Sequence, residues 1–430
     1  MNDKQDPANL PYYTNHSKTK RRSGVSRLFV VLVSAFVLSF LGLRVVWLAT
    51  SKPIFLLEVD DNVAVDPRLN VYQAIDAARE CHEWESTSPD SDVSKVSFAL
   101  AEGADLIFAL TRGPIAGHFE MIRRTNYSYP DRETFVTAEV TTRSPDQATK
   151  VCRMGNEDKK ERGVLIWRDA GLPLTSINVT IIIPLHLRSH KDVSTDLAMF
   201  SHSISSNFDD WWSPTYFRDM RFMLSEAPID FDGLRARSVA VHTSDGAVRG
   251  SFDGNSINVQ TSNAPISFSA FMEGLDAGSN ITLRTSNATI EAMFGVSHSM
   301  VNTTVRAHVH TTHGAVRLLT DPFQSMHPNS TFMLNVSTSD APVAVYMGPS
   351  YEGTYELSTT EARAEVDNDD NVEDPSEMGR QRTVQWTTNE EHDYVRGYSY
   401  WSHNGDPSRE GMDRGAVKIS STKSDVTLYF

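Results

Sequence analysis

The segment INVQTSNAPI, residues 257–266, contains the pattern from which the fold of the chain can be predicted. Apolar and polar residues alternate up to Thr261, as in a β-strand with one buried side. The Ser-Asn-Ala-Pro step that follows favours a corner, because Asn and Pro are turn-forming residues. Ile266 then begins a second apolar segment. Ten residues therefore predict a strand, a corner and the start of a second strand.

The same unit recurs toward the C-terminus. Its first threonine falls at positions 243, 261, 285, 311, 338 and 359, and a last copy surrounds Ser421. Alternation places Val241 and Thr243 on one side of the strand and His242 on the other. The other copies read VAVHTSDGAV (239–248), ITLRTSNATI (281–290), AHVHTTHGAV (307–316), LNVSTSDAPV (334–343) and, more weakly, YELSTTEARA (355–364).

A unit of this length is too small to bury its own apolar side, so successive units must cover one another. We therefore predict an all-β protein with a β-solenoid-like C-terminal domain, with stacked Thr and Asn side chains inside or at the corners. Hairpins packed in a sandwich are the alternative architecture.

The rest of the chain divides by composition. Residues 51–230 predict a β-rich domain with a short helix at 69–84 and strands at 96–101, 106–110, 135–141, 164–167 and 177–187. Residues 231–430 form the predicted repeat domain. An acidic loop at 361–383 interrupts the repeat.

The N-terminal segment predicts a membrane anchor. Residues 1–27 form a basic tail, expected to be disordered, and residues 28–50 are mostly aliphatic and carry one charged residue, Arg44. A helix over the 22 residues from Leu28 to Ala49 spans roughly 33 Å, enough to cross the hydrocarbon core. The basic residues before the span place the N-terminus in the cytosol and the C-terminal domain outside or in a lumen. A cleaved signal peptide is the alternative.

The charge distribution narrows the choice of partner. The chain has a formal net charge of -15, although its first 27 residues carry six basic against two acidic residues. The part beyond the span is therefore acidic, which disfavours nucleic acid. The predicted partners are membrane lipid through the anchor and either a cell-wall glycan or a surface protein.

Two features beyond the span suit the secretory pathway. Seven N-x-S/T sequons follow it, and we predict glycosylation at Asn126, Asn178, Asn280, Asn287, Asn302, Asn329 and Asn335. Cys81 and Cys152 are the two cysteines of the chain, and one disulfide is the natural interpretation in an oxidising compartment, with two free thiols as the alternative.

The repeat also resembles a known group of sequences. TSNAPI (261–266), TSNATI (285–290) and TSDAPV (338–343) look like the repeats of an uncharacterised fungal single-pass membrane family. They are also similar to repeats of bacterial adhesin-like β-solenoids. The resemblance covers roughly 235–345 and 416–430 and implies a fold and a topology, without any catalytic residue.

Four groups of residues could form a binding or catalytic site. His308, His310 and His313 can be a metal site or an ordinary solvated face. The segment Asp367–Val372 resembles a calcium loop, but Val372 stands where the turn needs glycine. The cluster Phe208, Trp211, Trp212, Tyr216, Phe217 and Phe222 is either a sugar platform or a packing joint. Carboxylates recur at or near the corners, at Asp245, Asp340 and Asp425.

The sequence therefore favours a non-enzymatic, membrane-anchored surface protein, which uses a repetitive β domain for adhesion or carbohydrate contact. No cofactor, metal site or catalytic residue is predicted. The alternative is a β-helix-type glycan-active enzyme with paired carboxylates. That alternative requires two or three carboxylates to converge in one groove.

Overall fold

The structure is a computed structural model, and it describes residues 78–86, 92–100, 104–123, 135–143, 145–156, 160–184, 191–205, 217–272, 278–296, 303–320, 330–403 and 414–430. These residues all belong to one compact unit, Leu69–Phe430. The predicted tail 1–27 and the predicted span 28–50 lie outside the described residues. Among the described residues no helix is long and apolar enough to cross a membrane.

The described residues form strands and no helix, as the all-β prediction requires. The strands before the repeats are β1 (Ala78–His82), β2 (Glu85–Ser86), β3 (Ser94–Leu100), β4 (Leu106–Arg112), β5 (Ile115–Arg123), β6 (Val136–Thr142), β7 (Thr149–Asn156), β8 (Glu161–Arg168), β9 (Thr175–Ile183), β10 (Asp192–Asp196), β11 (Met199–Ser205) and β12 (Phe217–Met223).

The remaining strands carry the repeats. They are β13 (Ile229–His242), β14 (Val248–Gln260), β15 (Ile266–Met272), β16 (Ser279–Arg284), β17 (Ile290–Val296), β18 (Thr304–His310), β19 (Val316–Thr320), β20 (Thr331–Thr338), β21 (Val343–Met347), β22 (Gly353–Ser358), β23 (Ala364–Asp367), β24 (Gln381–Thr388), β25 (Tyr394–Ser402), β26 (Gly415–Ser421) and β27 (Val426–Tyr429).

The strands pair in two long ladders, which we call the first and second sheets. The first sheet runs in the order β1-β7-β8-β4-β10-β12-β13-β14-β16-β18-β20-β26-β22-β25-β24, parallel from β8 to β22 and antiparallel at both ends. The second sheet runs β2-β3-β6-β9-β5-β11-β13-β14-β15-β17-β19-β21-β27-β23, parallel from β9 to β23. Strands β13 and β14 run through both.

Each repeat forms one rung, with a strand in the first sheet, a corner, and a strand in the second sheet. Successive rungs lie in register: Val259 pairs with Leu283, and Leu283 pairs with Val309. All three side chains are fully buried. The predicted stacking of the repeats is therefore confirmed, and parallel pairing between rungs rules out antiparallel hairpins for this part of the chain.

The inward side chains of both sheets form one hydrophobic core. Phe222 of the first sheet meets Phe231 of the second, with ring centroids 5.5 Å apart. Phe231 in turn lies edge-on to Phe268, at 6.1 Å. Burial of apolar surface by stacked neighbours is the main force that holds the rungs together.

The first threonine of each repeat closes the corner from inside. The Thr311 hydroxyl accepts a hydrogen bond from Gly314 N (3.1 Å) and donates one to Ala288 O of the preceding rung (3.3 Å). Thr261 likewise accepts from Ala264 N (3.1 Å), and it donates to Ser244 O of the preceding rung (3.3 Å). A buried hydroxyl is satisfied in this way, which explains why the repeat requires Thr or Ser here.

The rungs are not stacked in the order in which they occur in the sequence. The last copy, β26 and β27, lies between the rung of β20 and β21 and the rung of β22 and β23. At the other end the rung of β8 and β9 lies outside that of β4 and β5. The returning C-terminal rung is thus covered on both sides.

The described part of residues 51–230 is β-rich, as predicted, but the helix predicted at 69–84 is wrong where the structure describes it. Ala78–His82 is a strand that pairs with β7, because the Cys81–Cys152 pairing places it on a sheet edge, where tertiary contacts override helical propensity. The strands predicted at 96–101, 106–110, 135–141, 164–167 and 177–187 correspond to β3, β4, β6, β8 and β9. Strand β13 crosses residue 230 without a break.

Candidate functional site

The predicted glycosylation residues that the structure describes are all solvent-exposed. Asn178 lies on β9, Asn280 on β16, Asn335 on β20 and Asn287 at a corner. The sequons at Asn126, Asn302 and Asn329 lie outside the described residues. The other predicted pair, Cys81 and Cys152, is joined in a disulfide between β1 and β7.

The corner asparagines and aspartates form a ridge on the surface. Asn263 Nδ2 donates to Asp245 Oδ1 (2.7 Å), and Asn287 Nδ2 donates to Asn263 Oδ1 (2.6 Å). Further along, Asp340 binds His313 and Lys423, each at 2.8 Å. Hydrogen bonds from Ser244 and Asn263 lower the pKa of Asp245, and the Lys423 ammonium does most to lower that of Asp340.

Two carboxylates of the ridge, Asp245 and Asp340, are too far apart to act as a catalytic pair. Asp245 and Asp340 are four rungs apart, which is about 19 Å at the strand spacing of ~4.8 Å. Glycosidases hold their two carboxylates roughly 5–9.5 Å apart. Asp425 accepts a hydrogen bond from Arg363 N (3.0 Å) at the other side of the corner. The geometry thus does not support Asp245 and Asp340 as the carboxylate pair of the enzymatic alternative.

The members of the predicted histidine cluster have different hydrogen-bond partners. His310 Nδ1 lies 2.8 Å from Ser337 Oγ, and His313 Nδ1 lies 2.8 Å from Asp340 Oδ2. Burial is the main cause that lowers the pKa of His310. Within the described ranges, no three His, Cys, Asp or Glu side chains converge as they must around a metal ion. Of the predicted aromatic cluster, Phe217 and Phe222 are buried core residues, and the other four members lie outside the described residues.

Buried ion pairs hold the acidic segment 361–383 and link it to the neighbouring Glu352. Arg380 contacts Glu352 (3.2 Å) and Asp374 (3.0 Å), and Arg414 contacts Glu352 (2.5 Å). Burial alone would raise the pKa of Asp374, but hydrogen bonds from Arg380 and Ser376 outweigh it and hold this pKa well below its usual range. The segment also contains β23 and the start of β24.

A pocket of about 520 Å³, the end pocket, lies between this acidic segment and the β24–β25 hairpin. Its walls include Asn368, Asp369, Arg382, Gln385 and Trp401. In the described part of the chain, the three guanidinium nitrogens of Arg382 and Oδ1 of Asn368 are buried without a hydrogen-bond partner. Each such group costs about 1–3 kcal/mol, and more when it is charged.

The outer side of the first sheet, the polar face, carries charged and amide side chains in register. His308, Asn335, Lys418, Glu356 and Arg396 lie side by side on β18, β20, β26, β22 and β25. Lys418 pairs with Glu356 at 3.5 Å. A groove of about 530 Å³ runs along these strands. Two sequons, those of Asn280 and Asn335, also lie on the polar face.

The outer side of the second sheet, the apolar face, differs in chemistry. Phe271, Met293 and Leu319 on the adjacent strands β15, β17 and β19 are 44%, 49% and 52% exposed. Tyr346 and Tyr429 continue the stripe on β21 and β27, with their rings stacked at a centroid distance of 4.4 Å. The register pairs Met293 with Leu319, Leu319 with Tyr346, and Tyr346 with Tyr429.

Charged side chains accompany the apolar stripe along one row. Arg249, Ser267, Glu291 and Arg317 are register neighbours on β14, β15, β17 and β19, and all four are exposed. The Arg317 guanidinium lies 5.4 Å from the centre of the Tyr346 ring. A groove of about 390 Å³ runs between this row and the stripe. No sequon occurs on β15, β17, β19, β21 or β27.

Sequence reasoning missed both the apolar face and the end pocket. The apolar face had a readable signal, since Phe271, Met293 and Leu319 occupy positions that alternation turns outward. The end pocket had no local signal. Its residues come together through the β24–β25 hairpin and the pairing of β25 with β22, which the spacing of the repeats does not predict.

No family model matches the chain, and no curated protein is similar to it. Two of the solved structures that match the chain align with most of its length. One is a "putative adhesin" from Bacteroides fragilis, with 9% identity, a TM-score of 0.33, and coverage of 80% of this chain and 98% of that one. The other is a "putative cell adhesion protein" from Clostridium sporogenes, with 6% identity, a TM-score of 0.18, and coverage of 78% and 99%.

Proposed function

We propose that this chain is a membrane-anchored, non-enzymatic surface protein that adheres to other copies of itself through the apolar face. The observation that carries the proposal is the exposed stripe of Phe271, Met293 and Leu319 on three adjacent strands. A large apolar patch at the surface of a soluble unit typically marks an interaction site. The proposed topology, with residues 28–50 in the membrane, turns the rung stack toward the outside of the cell or a lumen.

The occupant of the apolar face is a second copy of the chain, because the row of charges beside the stripe can pair with the same row on another copy, opposite charge to opposite charge. A two-fold axis parallel to the strands, between β17 and β19, places Glu291 opposite Arg317 of the other copy, and does so twice. The same axis places Met293 opposite Leu319, also twice. Such a contact is isologous, and complementary charges fix its register more than its affinity.

The area of the apolar face is that of a weak contact, which becomes effective only when many chains on one membrane bind many chains on another. Five strands at ~4.8 Å and seven residues at ~3.3 Å cover roughly 550 Å² of sheet per copy. Stable complexes bury about 800 Å² per partner. A single pair of chains therefore binds weakly, and many chains on two opposed membranes supply the avidity. Glycans on the polar face would not interfere.

We also propose that the stack is a two-faced β-solenoid and that the chain belongs with the fungal single-pass proteins whose repeats it resembles. The in-register pairing of the TSNAPI-type copies supports the solenoid, and the repeat sequences themselves are the support for the fungal family. Glycosylation at the predicted sequons belongs to the same proposal, and the exposure of the four described asparagines supports it.

The test is cell aggregation with the full-length chain. Cells that express it are labelled in one colour, mixed with expressing cells of a second colour, and scored for mixed clusters. Met293→Glu introduces a charge into the centre of the apolar face and is expected to abolish clustering. Met333→Glu is the matched control, because Met333 is 45% exposed on the polar face.

The Met333→Glu cells should cluster as the unchanged cells do, at equal surface expression. The proposal is wrong if Met293→Glu cells still cluster. It is also wrong if expressing cells join non-expressing cells as readily as each other, since the partner would then be a different molecule or a surface glycan.

A further inference from the structure

One small residue creates the groove of about 530 Å³ on the polar face, which we call the polar groove. Met333, Ala416 and Thr354 are register neighbours on β20, β26 and β22, and all three turn outward. Because the side chain of Ala416 ends at Cβ, it leaves a gap between two longer side chains. Met333 is 45% exposed, so a molecule in the polar groove can reach this apolar floor.

A row of polar side chains forms the wall beside the floor. Asn335, Lys418 and Glu356 are the next outward residues on the same three strands. The side chains of Lys418 and Glu356 are 58% and 40% exposed, and Asn335 is exposed as well. Lys418 contacts Glu356 at 3.5 Å, but an ammonium has three donors and a carboxylate about four acceptor positions, so both groups can bind a further partner. The polar groove thus combines an apolar floor with a hydrogen-bonding wall.

The wall also contains a point of attachment for a sugar. Asn335, Val336 and Ser337 form one of the seven sequons beyond the predicted span. Strands lie ~4.8 Å apart and rise ~3.3 Å per residue, so the Cα atoms of Asn335 and Ala416 are separated by about 8 Å. A sugar ring linked to Nδ2 of Asn335 is therefore within reach of the floor.

The first sugars of an N-linked glycan match the chemistry of the polar groove. They are N-acetylglucosamine residues, each with an apolar ring side and an acetyl methyl group as well as hydroxyl groups. The apolar parts can pack on Met333 and Ala416, while the hydroxyls donate to Glu356 and accept from Lys418. Because the glycan is tethered to the wall, its effective concentration is high and a weak contact is enough to hold it.

Asn280 provides a contrast on the same face. It is exposed on β16, two strands from β20, and its register neighbours are Ser256 and Arg306. Both neighbours are polar, so a glycan on Asn280 has no apolar floor beside it and extends into the solvent.

We infer that the first two sugars of the glycan on Asn335 lie in the polar groove, packed on Met333 and Ala416 and hydrogen-bonded to Lys418 and Glu356. The inference rests on the glycosylation of Asn335 that the proposed function includes. A glycan in this position reaches from β20 across β26, and so covers the rung that is inserted between two earlier ones.

The experiment uses the full-length chain, produced in a eukaryotic cell line that leaves oligomannose glycans on its proteins and purified in detergent micelles. An endoglycosidase that cuts between the first two sugars acts on the folded chain, and peptide mass spectrometry follows each site over time. The glycan on Asn335 should be released ~10-fold or more slowly than that on Asn280, which corresponds to a contact worth about 1.4 kcal/mol. In peptides from the digested chain the two sites should be released at similar rates.

Ala416→Gln fills the polar groove from an outward position and should bring the release at Asn335 close to that at Asn280. Ala344→Gln is the matched control, because Ala344 is an equally half-buried outward alanine on β21, in the second sheet. It should leave both rates unchanged. Melting temperatures of the two variants check that each one folds.

A second measurement needs no variant in the polar groove. In the chain labelled with [13C]methyl-methionine, removal of the glycans should shift the NMR signal of the Met333 methyl group. The signal of Met293, which is 49% exposed on the apolar face, should stay in place. Met333→Leu and Met293→Leu assign the two signals.

Two kinds of negative result are distinguishable. If residue 335 carries no glycan, the glycosylation proposed there and this inference are both wrong. If the glycan is present, the inference alone is overturned by release as fast as at Asn280, by release that Ala416→Gln does not accelerate, or by a Met333 signal that does not respond to deglycosylation.

Discussion

The two outer faces of the stack are made by the same repeat and yet carry opposite chemistry. On the polar face the outward positions hold His308, Asn335, Lys418 and Glu356, whereas on the apolar face they hold Met293 and Leu319. The inward positions on both sheets are mostly apolar. The repeat therefore fixes what lies inside, and the outward positions are left free for function.

The strongest loss of stability is expected from a buried side chain of β17, and its exposed neighbour on the apolar face serves as the comparison. Phe294 is fully buried on β17, next to the exposed Met293. Phe294→Ala should lower the free energy of unfolding by about 3–5 kcal/mol, because it leaves a cavity in the shared core. Met293→Ala should change it by no more than about 0.5 kcal/mol. Denaturant unfolding of the full-length chain measures both, and equal losses would mean that the two side chains are not on opposite sides of the strand.

The second effect concerns the contact between the two sheets. His202 on β11 is buried and binds Thr195 of β10 at 2.9 Å, so it links the second sheet to the first. Burial lowers the pKa of His202 to about 4, although a hydrogen bond to Phe200 O opposes the shift. In the unfolded chain the imidazole titrates near 6.5.

Because the unfolded chain binds this proton more readily than the folded one, stability falls as the pH drops from about 6.5 to about 4. The loss amounts to roughly 3 kcal/mol, at ~1.4 kcal/mol per pH unit. Below pH 4 this residue adds no further loss. His202→Gln should remove that slope, as measured by unfolding across the pH range. An unchanged slope would show that His202 is not buried as a neutral ring.

The smallest effect on stability is expected from a new sequon on the apolar face. Ser267→Asn creates N-x-S with Ser269, at an exposed position on β15. A glycan there should block cell aggregation, while the free energy of unfolding stays within about 0.5 kcal/mol. Adding Ser269→Ala removes the sequon and should restore aggregation. Aggregation that survives an occupied site at residue 267 would place the adhesive contact elsewhere.

The repeat made much of this fold predictable. The positions of Thr261, Thr285 and Thr311 gave the corners, and alternation gave the buried sides of the strands that follow. The position of β26 and β27 between two earlier rungs was not predictable, since any copy can pair with any other through the same backbone hydrogen bonds. For the same reason the strand at 78–82 and the end pocket depend on long-range pairing that local patterns do not contain.

A charge exchange tests the self-adhesion of the apolar face most directly. Cells with Glu291→Arg and cells with Arg317→Glu are each scored alone and then mixed, after surface expression and melting temperature have been matched. In the proposed two-fold contact each variant meets its own charge and should stay dispersed, whereas the mixture restores opposite charges at both positions and should form two-colour clusters. Clusters within either variant alone, or a mixture that stays dispersed, would contradict the account.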